Sequence, residues 1–81
     1  MKITRFALTL ATEGDVDVAV FDLAGRRVAT VFHGRVPAGT REFTWQRTGD
    51  DGRSIASGMY FYRAVAAGKV VSRKLMVLSR E

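Results

Sequence analysis

An 81-residue chain that is 47% hydrophobic is long enough for one compact domain and too short for two. It contains no cysteine, which excludes disulfides and thiolate chemistry, and its net charge of +5 comes from ten arginines and three lysines set against eight acidic residues. No apolar run is long enough to span a membrane, and the first residues lack the apolar segment of a signal peptide.

The first half of the chain has the period of two that is typical of half-buried β-strands. Apolar residues occupy every second position in two stretches, Phe6, Leu8 and Leu10, and then Val16, Val18 and Val20. Residues 22–25 (DLAG) follow as a predicted tight turn, and residues 26–32 predict the returning strand of a hairpin.

The second half continues with strand patterns separated by glycine-rich connections. We expect a loop over residues 33–39, a strand over 40–45 that buries Phe43 and Trp45, and an irregular segment over 47–58. Two further strands are predicted at 59–66 and 69–78, joined by Ala67 and Gly68. Since no segment has helical periodicity, the pattern predicts an all-β protein, an antiparallel sandwich of six or seven strands.

Four blocks of sequence keep the order and spacing of a known family. They are VDVAVFDLAGRRVATV (residues 16–31), PAGTREFTW (37–45), GDDGRSIASGMYFYRA (49–64) and RKLMVL (73–78). Together they resemble the immunoglobulin-like domain of the flagellar hook-capping family, and equally the C-terminal sorting domains of type IX secretion cargo. The resemblance implies that residues 1–81 form a single immunoglobulin-like β-sandwich, non-catalytic, at the C-terminus of a larger secreted or surface protein.

The sorting version of the resemblance also implies two functional blocks. Its glycine-tyrosine block would fall on Gly58, Tyr60 and Tyr62, and its terminal basic-apolar block on Lys74, Leu75, Val77 and Leu78.

Strand 59–66 has an apolar residue pair on the same side as an arginine. Burying an unpaired Arg63 would be costly, so we expect Tyr60 and Tyr62 to point inward and Met59 and Phe61 to stay partly exposed. Either a loop or the parent protein covers this pair, or the pair is a recognition patch for another molecule.

Strand 69–78 carries one cation among apolar groups on each face, Arg73 on one and Lys74 on the other. It is either an edge strand protected by charge or a segment that pairs with a receptor by strand addition. The candidate partner-binding residues are Met59, Phe61, Arg73, Lys74, Leu75, Val77 and Leu78.

Five aspartates raise the question of calcium, which prefers carboxylate oxygens: Asp15, Asp17, Asp22, Asp50 and Asp51. Their spacing favours turn capping by Asp22, Asp50 and Asp51, and a solvated strand face for Asp15 and Asp17. His33 has no cysteine or second histidine to complete a metal set, so we predict no metal, cofactor or catalytic residues.

The function that the resemblance implies is sorting and surface anchoring, with recognition by an outer-membrane translocation system and a location outside the cell or on its surface, reached via the periplasm. The alternative is a structural protein–protein interaction module of the hook-capping kind. In either case the partner is a protein, from the secretion machinery or a neighbouring domain. Because the arginines are scattered along the chain, we expect no nucleic-acid partner, and we expect no small-molecule substrate and no membrane span.

Overall fold

A computed structural model describes residues 4–78 of the chain. Six strands make up the fold: β1 (Thr4–Leu10), β2 (Gly14–Phe21), β3 (Arg27–Val36), β4 (Gly39–Trp45), β5 (Gly58–Ala66) and β6 (Lys69–Val77). The part of the chain that the structure describes contains no helix long and apolar enough to cross a membrane.

The strands form two antiparallel sheets that pack face to face. One sheet has two strands, β1 and β4, and the other has four in the order β3, β2, β5, β6. The predicted all-β antiparallel sandwich is therefore confirmed, with six strands.

Alternating side chains from both sheets form the core. Its buried members are Phe6, Leu10, Val16, Val18, Val20, Ala29, Val36, Phe43, Trp45, Ala64 and Val77. The Phe6 ring of β1 lies 4.5 Å from the Tyr62 ring of β5, and the Phe43 ring of β4 lies 4.9 Å from the Phe32 ring of β3. The two-stranded sheet thus covers β5 and β3 and the strand between them.

Strand β3 differs from the sequence prediction because it runs to Val36. Residues 33–36, predicted as loop, pair with residues 14–17 of β2, so their backbone groups join the ladder. The register between β2 and β3 shifts after Val18 and again after Val20, and these irregularities accommodate the different lengths of the two paired segments. A glycine suits position 34, since a Cβ there would lie 3.3 Å from the Phe32 ring. The last strand ends at Val77, one residue before the predicted end.

Residues 48–54 form a small turn that packs on the edge of β3. Thr48 and Ser54 form an isolated bridge, and the N–H of Asp50 donates to the carbonyl of Val28 at 3.0 Å. The N–H of Thr30 donates to Asp50 Oδ1 at 2.8 Å. This turn covers the edge of β3 around residues 28–30, and Ile55, just after it, packs against the core.

Candidate functional site

Strand β6 is an edge strand, since its only strand partner within residues 4–78 is β5. Strand β1 likewise pairs only with β4, and it faces β5 across the core. The free edges of β1 and β6 therefore lie on the same side of the sandwich; on the opposite side, β3 and β4 are joined by Pro37 and Ala38, and the turn at residues 48–54 covers the β3 edge around residues 28–30. We call the side with the free edges of β1 and β6 the open side.

The β5–β6 register divides the candidate residues between the two faces of the sheet. Phe61 is opposite Lys74 and Met59 is opposite Met76, on the outer face that points away from the core. On the inner face, the candidate residues Val77, Leu75 and Arg73 are opposite Gly58, Tyr60 and Tyr62. The expected inward direction of the tyrosines is confirmed, because both pack against the core.

The predicted partner-binding residues also differ in exposure. Arg73, Lys74 and Leu78 are exposed and Met59, Phe61 and Leu75 are half-buried. Val77 is only 1% exposed and belongs to the core. The structure thus brings Met59, Phe61 and Lys74 together on the outer face, and it separates them from Arg73, Leu75 and Val77.

Aromatic and arginine side chains cover part of the outer face. Phe61 stacks on Phe21 with ring centroids 6.0 Å apart and an interplanar angle of 17°. The guanidinium of Arg63 lies 4.5 Å from the centre of the Phe21 ring, and that of Arg27 lies 5.5 Å from it. Such cation–π contacts shield Phe21, which is 7% exposed although it points away from the core.

Exposed apolar side chains concentrate at β6. Of the five large ones recorded in residues 4–78, four lie in this strand or just after it: Val70 (60% exposed), Val71 (41%), Met76 (54%) and Leu78 (55%). The fifth, Leu23, lies in the β2–β3 turn. Neither Arg73 nor Lys74 forms an ion pair with a carboxylate of the described residues. This edge strand is therefore both apolar and cationic.

A cleft of about 180 Å³ opens between the sheets on the open side. One wall is residues 6–9 of β1, and the other includes Tyr62, Ala64, Val71 and Arg73 from β5 and β6. The walls are mainly apolar, and Arg73 supplies a positive charge.

A second, wider cavity of about 500 Å³ lies beside the turn at residues 48–54. Its acidic groups serve the turn itself: Asp50 accepts from the Thr30 N–H at 2.8 Å, and Asp51 accepts from the Arg53 N–H at 3.0 Å. The Tyr60 hydroxyl, also in its lining, donates to the Ala56 carbonyl at 2.7 Å. These groups are engaged in holding the loop.

The remaining aspartates have structural partners. Asp22 Oδ1 accepts hydrogen bonds from the N–H groups of Ala24 and Arg26, and the bond from Arg26 is the main cause that lowers the pKa of this carboxyl. The predicted turn cap at Asp22 is confirmed. Asp17 is not merely solvated, because it lies 3.2 Å from an Arg27 nitrogen and 3.5 Å from His33 Nδ1. Within residues 4–78, no three potential metal ligands converge.

Sequence reasoning missed Val70, Val71 and Met76 as surface candidates and missed the free edge of β1. The apolar residues were visible in the two-sided pattern of the last strand. The free edge of β1 had no local signal, because edge position depends on which strands pair.

The family model of the FlgD Ig-like domain matches residues 2–70. Neither a curated protein nor a solved structure matches the chain. The match supports the hook-capping side of the sequence resemblance and the predicted immunoglobulin-like fold, and it lends no support to a type IX sorting domain. It ends at residue 70, so most of β6 lies beyond the matched range.

Proposed function

Because the chain belongs to the family of FlgD immunoglobulin-like domains, we propose that it is a non-catalytic structural module that binds other protein surfaces. Its partners are a sister subunit or a neighbouring domain of a larger parent protein, as expected for a module of the hook-capping kind. A sandwich can host many roles, so the family alone does not choose the binding surface.

One observation carries the proposal, namely the exposed apolar side chains of the edge strand. We name Val70, Val71, Met76 and Leu78 the β6 surface. An edge strand with several exposed apolar side chains offers both contact area and unpaired backbone groups to a partner, and charged residues on such a strand restrain unselective pairing. Arg73 and Lys74 supply such charges, and these charges favour binding of a specific partner over aggregation.

The absence of native cysteine allows a direct test by thiol labelling. We would prepare Met76→Cys and, as a matched control, Leu23→Cys, whose side chain is exposed at a distant turn. Maleimide labelling rates are then compared between the isolated domain and the parent assembly in cells. We expect the thiol at position 76 to be labelled several-fold more slowly in the assembly.

The thiol at position 23 should react at the same rate in both samples. Equal labelling at position 76 in the two samples would contradict an interface at β6. Slower labelling at both positions would indicate general burial of the domain and would also contradict a specific β6 interface.

A further inference from the structure

The two sheets are unequal, and the difference leaves the first part of β6 without a facing strand. The four-stranded sheet ends in β6, while the two-stranded sheet ends in β1. Since β1 faces β5 through Phe6 and Tyr62, no strand within residues 4–78 covers the part of the inner face of β6 that holds Val71 and Arg73, whereas Val77 at the other end of the strand is buried in the core. Val71 and Arg73 on that face consequently remain exposed.

The cleft follows the free edge of β1. Its lining includes Phe6 and Leu8, which point toward the core, and also Ala7 and Thr9, which point away from it. Side chains on opposite faces of one strand can line the same cleft only where the cleft runs along the edge of that strand. An extended chain that hydrogen-bonds to this edge would therefore lie directly over the inner face of β6.

The size and chemistry of the cleft fit side chains better than a whole small ligand. Its volume of about 180 Å³ is below the roughly 300–1,000 Å³ of typical small-molecule pockets. Phe6, Leu8 and Val71 offer apolar contact, and Arg73 offers a guanidinium that no carboxylate of the described residues neutralises. Lys69 adds a second cation on the same face, opposite Ala66, and within residues 4–78 it too has no carboxylate partner.

We propose that the cleft receives an extended segment of a partner protein, which adds to the free edge of β1 as a third strand of the small sheet. The segment alternates in character: its inward side chains are apolar and fill the cleft, and one inward carboxylate pairs with Arg73. This inference rests on the proposed function and extends it, since it adds the free edge of β1 to the β6 surface, with which it shares Val71, and states the chemistry of the partner.

The two symmetric pairings of a second copy of this chain, through β1 or through β6, are unfavourable. The apolar side chains of its β1, Phe6 and Leu10, are already buried in its own core and cannot enter a neighbour's cleft. Pairing two β6 edges would bring the Arg73 and Lys74 cations of both copies together, and like charges in cross-strand contact are destabilising. A partner strand that carries acidic residues meets the same cations favourably.

The probe is a capped nine-residue peptide in which valine alternates with threonine and the central valine is replaced by glutamate. Its control has lysine at the central position. Both are titrated into the isotope-labelled protein, and backbone amide shifts are recorded. We expect the glutamate peptide to bind at least about tenfold more tightly than the lysine peptide, with shifts concentrated at residues 5–9 and 71–73.

Charge reversal supplies the matched variants. Arg73→Glu should weaken binding of the glutamate peptide about tenfold or more and strengthen binding of the lysine peptide. Lys74→Glu makes the same charge change at the adjacent residue, which points to the outer face, and should alter either affinity much less. Circular dichroism establishes that both variants are folded.

Strand addition is separated from other binding modes by N-methylation. Methyl groups on the odd-numbered or on the even-numbered amides of the peptide block hydrogen bonding along one of its edges only. We expect one of the two methylated peptides to lose binding and the other to keep it.

Several outcomes would overturn the inference. These are no binding of the glutamate peptide, shifts confined to other strands, equal effects of the two charge reversals, or equal binding of both methylated peptides. Shifts at residues 5–9 that depend on protein concentration without peptide would identify a second copy as the occupant, and would also overturn it. If position 76 is nevertheless protected in the assembly, the proposed function stands and only this assignment of edge and partner fails.

Discussion

Arg47, two residues after β4, forms hydrogen bonds to both ends of the described part of the chain. It follows β4 with φ of 61°, in the left-handed region that non-glycine residues rarely adopt. Its Nε donates to Thr4 Oγ1 at 2.9 Å, and its Nη1 donates to the Leu78 carbonyl at 3.5 Å. Hydrogen bonds to the start of β1 and to the residue after β6 thus offset an unfavourable backbone conformation.

We predict that Arg47→Ala destabilises the domain more than Arg47→Gly. Both variants lose the hydrogen bonds, a loss of about 1–2 kcal/mol, but glycine also relieves the left-handed strain, which is on the order of 1 kcal/mol. Urea unfolding monitored by Trp45 fluorescence measures both free energies. A glycine variant less stable than the alanine variant would show that the strain is negligible.

The stability of the fold depends on pH through the carboxyl group of Asp17. Burial opposes ionisation of this carboxyl, but the hydrogen bond and charge of Arg27, together with His33, outweigh burial and hold its pKa below the ordinary value of 3.8. Strand β5 places the uncharged Val65 opposite it. Because the folded pKa is the lower one, ionised Asp17 stabilises the fold above pH 3.8, and this contribution disappears as pH falls through the folded pKa.

We therefore expect Asp17→Asn to lower the free energy of unfolding by up to about 1 kcal/mol at neutral pH, the range of a partly exposed ion pair. The difference from the wild type should shrink steadily in acid and vanish once Asp17 is protonated in both states. Thermal unfolding of the two proteins over a pH series measures this. A difference that stays constant in acid would mean that the carboxylate charge is not the cause.

At the scale of elements, the β5–β6 hairpin has a two-residue turn in which one residue, Ala67, adopts a backbone conformation that disfavours alanine. Ala66 pairs with Lys69, so Ala67 and Gly68 form the turn, with φ of 52° and 76°. Positive φ at both positions is the conformation that matches the right-handed twist of the flanking strands, and it favours asparagine followed by glycine. Gly68 suits it, whereas Ala67 adopts it at a steric cost.

Ala67→Asn should raise the free energy of unfolding by about 0.5–1 kcal/mol, because asparagine tolerates this region better than alanine. Ala24→Asn is the control, since Ala24 is also an exposed turn residue and its φ is not positive. Chemical denaturation compares both variants with the wild type. Equal effects of the two substitutions would refute the conformational explanation.

At the scale of the whole molecule, stability depends on the contact between unequal sheets. Phe6 is 7% exposed and packs on Tyr62 across the core, whereas Phe61 is half-buried on the outer face. The same residue type therefore has two roles, one joining the sheets and the other covering the outside of one sheet.

Phe6→Ala should cost about 3–5 kcal/mol, as expected for a large-to-small substitution in a core. Phe61→Ala should cost less than half as much, since solvent already reaches part of its ring. Differential scanning calorimetry of both variants tests the contrast. Similar losses would indicate that the outer face contributes as much to stability as the core does.

Local pattern was sufficient for much of the fold. The alternation of Val16, Val18 and Val20, the inward direction of Tyr60 and Tyr62, and the turns at Asp22 and at Ala67 were all predicted from residues close in sequence. These features depend on side-chain periodicity and turn chemistry, which act over a few residues. The exposure of Arg63 followed similarly from the cost of burying a charge.

Only the tertiary structure decided the features on which the candidate site depends. Whether β1 or β6 has a free edge follows from pairings between distant residues, such as Thr4 with Trp45. The same pairings extended β3 through residues 33–36 and decided that Arg73 lies on the inner face and Lys74 on the outer face. The sequence alone determined most of the strands and the buried sides of β1, β2, β4 and β5, because neighbouring residues encode both. The cleft and the open side exist only because two strands face four, a relation between elements that no local pattern encodes.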